Sequence, residues 1–149
     1  MKELNYARFL GELFVPLLKS KYENKPLPEC IIPMPLHQTR LQERGFNQAT
    51  EIAKPIAKAL NVPINHKIVY RQKETLRQSQ LSKKKRRRNM QSAFLVNQTM
   101  TQKHVAVLDD VITTGETILS LCKALKNAGI KTIDVWCLAK RTLAYRVQE

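Results

Sequence analysis

The sequence predicts an α/β fold: an open, mostly parallel sheet flanked by helices, in a single domain spanning residues 1–149. Three observations predict it. Short apolar runs rich in β-branched residues alternate with segments of helical period, the pattern of parallel strands joined by helical crossovers. One such run, residues 105–108, leads through Asp109, Asp110 and a Thr-Thr-Gly turn straight into a helical pattern. A chain of 149 residues can also bury roughly 68–70% of its unfolded surface around one core.

Each element has its own signal. Residues 4–18 place Leu4, Phe9, Leu10, Leu13, Phe14, Leu17 and Leu18 near helical spacing, so an amphipathic helix is expected, disturbed or ended by Pro16. Residues 1–29 thus form a helical N-terminal segment, with Pro26 and Pro28 marking a loop. Cys30, Ile31 and Ile32 read as a short buried strand stopped by Pro33 and Pro35. From Asn47 to Leu60, Ala49, Ile52, Ala53, Ile56, Ala57 and Leu60 share a helical face, with a kink expected at Pro55 and a cap at Asn47.

Residues 64–70 carry a weaker strand signal. Residues 71–92 are polar, basic and nearly free of large apolar groups, so a mobile loop is expected there. A short strand is predicted over 93–96 and another over 105–108. A helix follows from Glu116 to Ala128, stopped by Gly129. The last strand covers 132–138, with Trp136 in the core.

Composition narrows the function classes. Lys and Arg number 26 against 12 Asp and Glu, and the net charge of +14 favours an anionic partner: a nucleic acid, a polyphosphate or an acidic membrane surface. Cys30, Cys122 and Cys137 are scattered and form no C-x-x-C pair, which excludes a zinc ribbon and fits a reducing, cytoplasmic setting. No run of eighteen apolar residues exists, so no membrane span is expected. Glu3 and Glu12 interrupt the N-terminal apolar pattern, which speaks against a signal peptide. The amphipathic first helix leaves room for a homodimer.

The chemistry concentrates after residue 108. In open α/β sheets, ligands collect outside the carboxyl ends of the strands, where Asp109 and Asp110 are expected. The loop that follows enters a helix whose first N–H groups lack intrahelical partners and carry partial positive charge. Val111, Ile112, Thr113, Thr114, Gly115, Glu116 and Thr117 are therefore candidates to hold a phosphate monoester, with Gly115 supplying positive φ and the threonines supplying hydroxyls. Each helix-end contact is worth only about 0.3–2 kcal/mol, so several must act together. Two carboxylates repel a phosphate but accept hydrogen bonds from neutral hydroxyls or reach a hydrated Mg²⁺. A ribose 5-phosphate meets both demands.

Residues 105–117 resemble the signature of type I phosphoribosyltransferases for PRPP (5-phosphoribosyl 1-pyrophosphate), matching the apolar run, both acids and T-T-G-x-T in order. A Walker-B strand would need a G-x-x-x-x-G-K-[ST] loop, which the sequence lacks. The stretch IIPMPLHQTRLQERGFNQA, with Arg40, Arg44, Gly45, Phe46, Asn47 and Gln48, is similar to the ComF family, as is the later spacing of Thr75, Gln80, Leu81, Arg86, Asn89 and Phe94. The resemblance covers about residues 30–140. It implies a type I phosphoribosyltransferase-like fold, PRPP with Mg²⁺ as ligand, and an association with natural competence, the uptake of DNA for transformation. Other competence proteins are implied as partners.

The resemblance also puts the loop after the first strand beside pyrophosphate, making Pro35, Leu36, His37, Arg40 and Arg44 candidates there. Arginine's planar fork suits phosphate oxygens, though Arg44 could equally tie the Gly45 turn to a helix end. His37, without an evident orienting partner, is expected to face solvent. Many ComF members carry a cysteine-rich zinc module ahead of this region. The chain begins past its place, so that module and its zinc are not expected here, and no metal is expected from the protein alone.

The basic stretch admits two uses. From Lys67 to Arg88 there are ten cations and one acid, Glu74, nine of the fourteen net charges. Arg77 and Arg86 are assigned toward PRPP, as in a loop that closes over substrate. Lys83, Lys84, Lys85, Arg87 and Arg88 are assigned to single- or double-stranded DNA, read through its backbone because aromatic platforms are scarce. Three functions stay open: a PRPP-binding phosphoribosyltransferase-like protein in DNA uptake, a non-catalytic DNA-binding competence factor that senses a ligand, and a nucleobase salvage enzyme. Salvage needs a base-recognising hood that residues 1–29 do not offer. The catalytic residues and the acceptor are not identified by the sequence.

Overall fold

The structure is a computed structural model describing residues 2–71, 93–97 and 100–140. Within these residues the chain forms α1 (Lys2–Lys21), β1 (Cys30–Pro33), α2 (Gln38–Arg44), α3 (Gln48–Leu60), β2 (Val69–Arg71), β3 (Phe94–Val96), β4 (His104–Ile112), α4 (Glu116–Asn127) and β5 (Thr132–Lys140). The predicted class holds. β4 is the middle strand of a parallel sheet ordered β1-β4-β5. Its residues Val105, Ala106, Val107 and Leu108 are fully enclosed, as expected of a parallel strand covered on both faces.

β2 and β3 stand apart from that sheet as an antiparallel ribbon, pairing Val69 with Val96, Tyr70 with Leu95 and Arg71 with Phe94. The strand predicted over 64–70 is shorter than expected. Ile64 makes only an isolated bridge to Ile31, and the Asn65 side chain then accepts the Lys67 N–H at 2.9 Å, bending the chain before β2 begins.

Pro16 does not end α1, which continues to Lys21. Proline removes the partner of the carbonyl four residues back, here that of Glu12. Both residues are exposed, so water can take the donor's place. Nor does Pro55 interrupt α3. Gly11 of α1 sits directly over this part of α3: a Cβ there would strike the Ile52 carbonyl and come within 2.6 Å of the Pro55 ring. Ala7 and Leu18 are buried on the same side of α1. Glu51 of α3 is buried and paired with Arg8 Nε at 2.9 Å and Lys54 Nζ at 2.5 Å. Burial pushes its carboxyl up, but these two cations outweigh it and hold it below its ordinary value.

α4 ends as its sequence predicts. Gly129 adopts φ 96°, its N–H reaches Lys126 O, and the Ile130 N–H reaches Leu125 O, closing a Schellman motif. Leu121 and Leu125 are fully buried.

At the end where β4 and β5 begin, a polar network is closed within the fold. Tyr22 Oη donates to Asp134 Oδ2 at 2.6 Å, His104 Nε2 meets the same oxygen at 2.7 Å, and Trp136 Nε1 donates to Tyr22 Oη at 3.0 Å. The Tyr22 and Trp136 rings meet edge to face. Burial, then the Asp134 bond, pushes the Tyr22 phenol up to about 12. Burial acts upward on Asp134 too, but the Tyr22 and His104 bonds hold its carboxyl below the usual value. Glu29 accepts the backbone N–H groups of both Lys103 and His104.

Candidate functional site

The opposite end of the sheet carries the candidate site. β1 and β4 are neighbours in register through Pro33 and Leu108, and the Met34 N–H donates to Leu108 O at 2.8 Å. The chain leaving β1 therefore starts beside the point where β4 reaches Asp109. Asn47, which caps α3, also donates from Nδ2 to Met34 O at 3.0 Å and ties this loop down.

β4 itself runs further than predicted. The sequence placed its end at Leu108, but the ladder with β5 continues through Asp109, opposite Cys137, to Ile112, opposite Lys140. A nine-residue β5 offers ladder partners that the local sequence of β4 does not reveal. Both acids thus lie within the strand. Val111 and Ile112, assigned to the phosphate loop, are its last residues, and Val111 is 47% exposed.

The acids are crowded. Asp109 Oδ1 accepts the Asp110 N–H at 2.9 Å, and Asp110 Oδ1 accepts the Val111 N–H at 2.8 Å. Burial pushes the Asp109 carboxyl up to about 6, and the adjacent Asp110 carboxyl adds to the rise. The Arg71 guanidinium pulls weakly the other way. Arg71 comes from the end of β2 and lies over the Phe94 ring at 5.8 Å. Its influence on Asp109 was not legible in the sequence, where it is one cation among ten.

The turn after β4 has the predicted shape. Thr113 and Thr114 are exposed, and Gly115 adopts φ 81°. A Cβ on Gly115 would have space, its nearest neighbours being 3.9 and 4.0 Å away, so glycine is required by the backbone angle and not by crowding. Thr114 Oγ1 accepts the Glu116 N–H at 3.4 Å, leaving its hydroxyl hydrogen to donate outward. Glu116 and Thr117 open α4, exposed, in the turn whose N–H groups have no partner inside the helix.

The β1 loop is partly enclosed. Pro35, Leu36 and His37 are half-buried, which corrects the expectation that His37 faces solvent. Its Nδ1 meets Thr39 Oγ1 at 2.7 Å, and its Nε2 is buried without a hydrogen-bond partner among the described residues. α2 was not anticipated: none of its residues is buried, so it writes no apolar period. Arg40 and Arg44 lie exposed on it. Arg44 Nη1 donates to Gln48 Oε1 at 2.8 Å across the Gly45 turn, as the tying role expects. Arg77, Arg86, Lys83, Lys84, Lys85, Arg87 and Arg88 lie outside the described residues.

Among the described residues, no helix is long and apolar enough to cross a membrane. A family model, the phosphoribosyl transferase domain, matches residues 45–148. The chain is similar to Competence protein F of Haemophilus influenzae, with 41% identity over 76% of this chain and 51% of that protein. It is also similar to the DNA utilization protein YhgH of Escherichia coli K12, 34% identical over 76% of this chain and 50% of that protein. The chain spans about half the length of the curated relatives it matches. Among solved structures, glutamine phosphoribosylpyrophosphate amidotransferase from B. subtilis matches with a TM-score of 0.59 at 15% identity, over 89% of this chain and 26% of that one. Hypoxanthine phosphoribosyltransferase from Trypanosoma cruzi matches with a TM-score of 0.53 at 11% identity, over 95% and 77%. These two share the fold.

Proposed function

Since the chain belongs to the phosphoribosyl transferase domain family, we propose that it binds PRPP with Mg²⁺ and serves DNA uptake in natural competence, contacting DNA through its basic stretch. The observation that carries the reading is the crowded acid pair near the end of the central strand, followed five residues later by a positive-φ glycine and then at once by a helix start. Asp109 and Asp110 accept the ribose hydroxyls. Thr113, Thr114, Gly115, Glu116 and Thr117 take the 5-phosphate through N–H and hydroxyl donors. The loop of Pro35, Leu36 and His37, anchored by Asn47, flanks the pyrophosphate, with Arg40 as the nearby cation.

Among the described residues, no group of three or more His, Cys, Asp or Glu stands ready for a metal. Two carboxylates nevertheless suit Mg²⁺, which takes one or two from a protein and completes its shell with phosphate oxygens and water. Bound so, the ion would supply charge neutralisation at the pyrophosphate.

The names of the relatives, a competence protein and a DNA utilization protein, support the DNA role. So does the ribbon from which the basic stretch departs. Tyr70 and Leu95 pair on its outer side and are 53% and 52% exposed, an apolar surface on which a base can stack beside cations.

Calorimetric titration of PRPP with Mg²⁺ against wild type and the Asp109→Asn/Asp110→Asn variant tests the pocket. Wild type should bind and the variant should not. Pyrophosphate release, followed with and without single-stranded DNA, separates transfer from sensing: binding without release favours the ligand-sensing alternative. Equal PRPP affinity in both proteins would sink the reading.

A further inference from the structure

α1 shows two faces. One, carrying Ala7, Gly11 and Leu18, is buried against α3 and the core. The other presents Tyr6, Phe9, Leu10, Leu13 and Leu17, between 41% and 68% exposed. At about 100° per residue these five fall within an arc of roughly 100°, one continuous apolar stripe. Tyr6, Leu10, Leu13 and Leu17 follow the alternating four-three spacing of a helix-pairing seam. Scattered exposed apolar residues are ordinary, but five large ones aligned on one helix mark a surface that associates.

We propose that this stripe pairs antiparallel with α1 of a second copy of the chain. The charges on the helix select that occupant. Glu3 stands in the first turn and Lys21 in the last, both exposed. They are separated by about five full helical turns and so lie along the same edge of the stripe. Antiparallel helices bring like edges together, which sets Glu3 of each copy beside Lys21 of the other. Parallel pairing would set unlike edges together, with Glu3 far from Lys21 of the other copy.

The register follows. Tyr6 meets Leu17 of the second copy and Leu10 meets Leu13, with the two-fold axis between Gly11 and Glu12. Antiparallel alignment also opposes the two helix dipoles. Residues 3–21 hold three cations and two acids, so the large positive charge of the chain does not sit at this contact. Burial of the opposite face holds the stripe in a fixed orientation.

Light scattering coupled to size exclusion, over a wide concentration range, should show a reversible dimer. Leu13→Glu should abolish it with an unchanged circular dichroism spectrum, since that side chain is 56% exposed and lies outside the protomer's core. Glu3→Lys and Lys21→Glu should each weaken dimerisation several-fold, and the double swap should restore it. In a Cys122→Ser/Cys137→Ser background, a short thiol crosslinker should join copies carrying Leu13→Cys. It should not join copies carrying Tyr6→Cys, whose positions lie about 16 Å apart along an antiparallel pair. A wild type that stays monomeric, a double swap no better than the singles, or equal crosslinking at both positions would overturn the proposal.

Discussion

The two ends of the parallel sheet are built on opposite principles. Where β4 and β5 begin, one buried Tyr, one Trp, one His and one Asp satisfy each other, and the Asp134 carboxyl is held below its ordinary value. Where β4 ends, two carboxylates crowd together, Asp109 is pushed up to about 6, and His37 keeps a buried nitrogen without a partner among the described residues. The first arrangement stabilises the fold as it stands. The second is stable only because the surrounding sheet enforces it, and its unmet demands are those a ligand with hydroxyls and anions would meet.

Four substitutions sharpen that contrast. Trp136→Ala should cost the most, about 3–5 kcal/mol in a urea melt, because it opens a cavity and strips Tyr22 of a donor. Comparable stability would mean the closed end is not what holds the sheet.

Asp134→Asn should cost about 1–2 kcal/mol at neutral pH through weakened bonds to Tyr22 and His104. A depressed carboxyl lends stability above its unfolded value, near 3.8, and loses it as pH falls through the lower folded value. The gap between wild type and variant should therefore close in acid.

Asp109→Asn should behave with the opposite sign. A raised carboxyl lets the folded state hold its proton longer than the unfolded chain, so the native state loses stability as pH rises from 3.8 through about 6. The variant escapes that loss. Above pH 7 it should be more stable than wild type by about 1 kcal/mol, after discounting for solvent screening, while losing PRPP binding. A variant less stable than wild type at pH 8 would remove the contrast between the two ends. Smallest of all, His37→Leu should change the melting free energy by no more than about 0.5 kcal/mol, since the Nδ1 bond to Thr39 that it loses is exposed and the buried Nε2 it removes has no partner among the described residues.

Local chemistry explains which elements were legible. The strands at Ile31 and Val107 are covered on both faces, so they appear as apolar runs whatever surrounds them, while β5 buries only Trp136 and is legible from its β-branched and aromatic residues. Gly129 and Asn47 act through their own backbone or the next turn, and both took the predicted roles. The Thr-Thr-Gly turn likewise needs only Gly115 and its neighbours. α2 escaped notice because it buries nothing, and Pro16 did not end α1 because the cost of a proline depends on what lies around the orphaned carbonyl.

By itself, the sequence determined the α/β class, the acid pair, the Thr-Thr-Gly turn and the uneven spread of charge, because each is written within a few neighbouring residues. Only the tertiary structure decided how far β4 extends, that the charge of Arg71 acts on Asp109, that His37 is half-buried and that Arg44 binds Gln48. Those outcomes depend on groups distant in the chain or on the next element, and periodicity carries no record of which surfaces will meet.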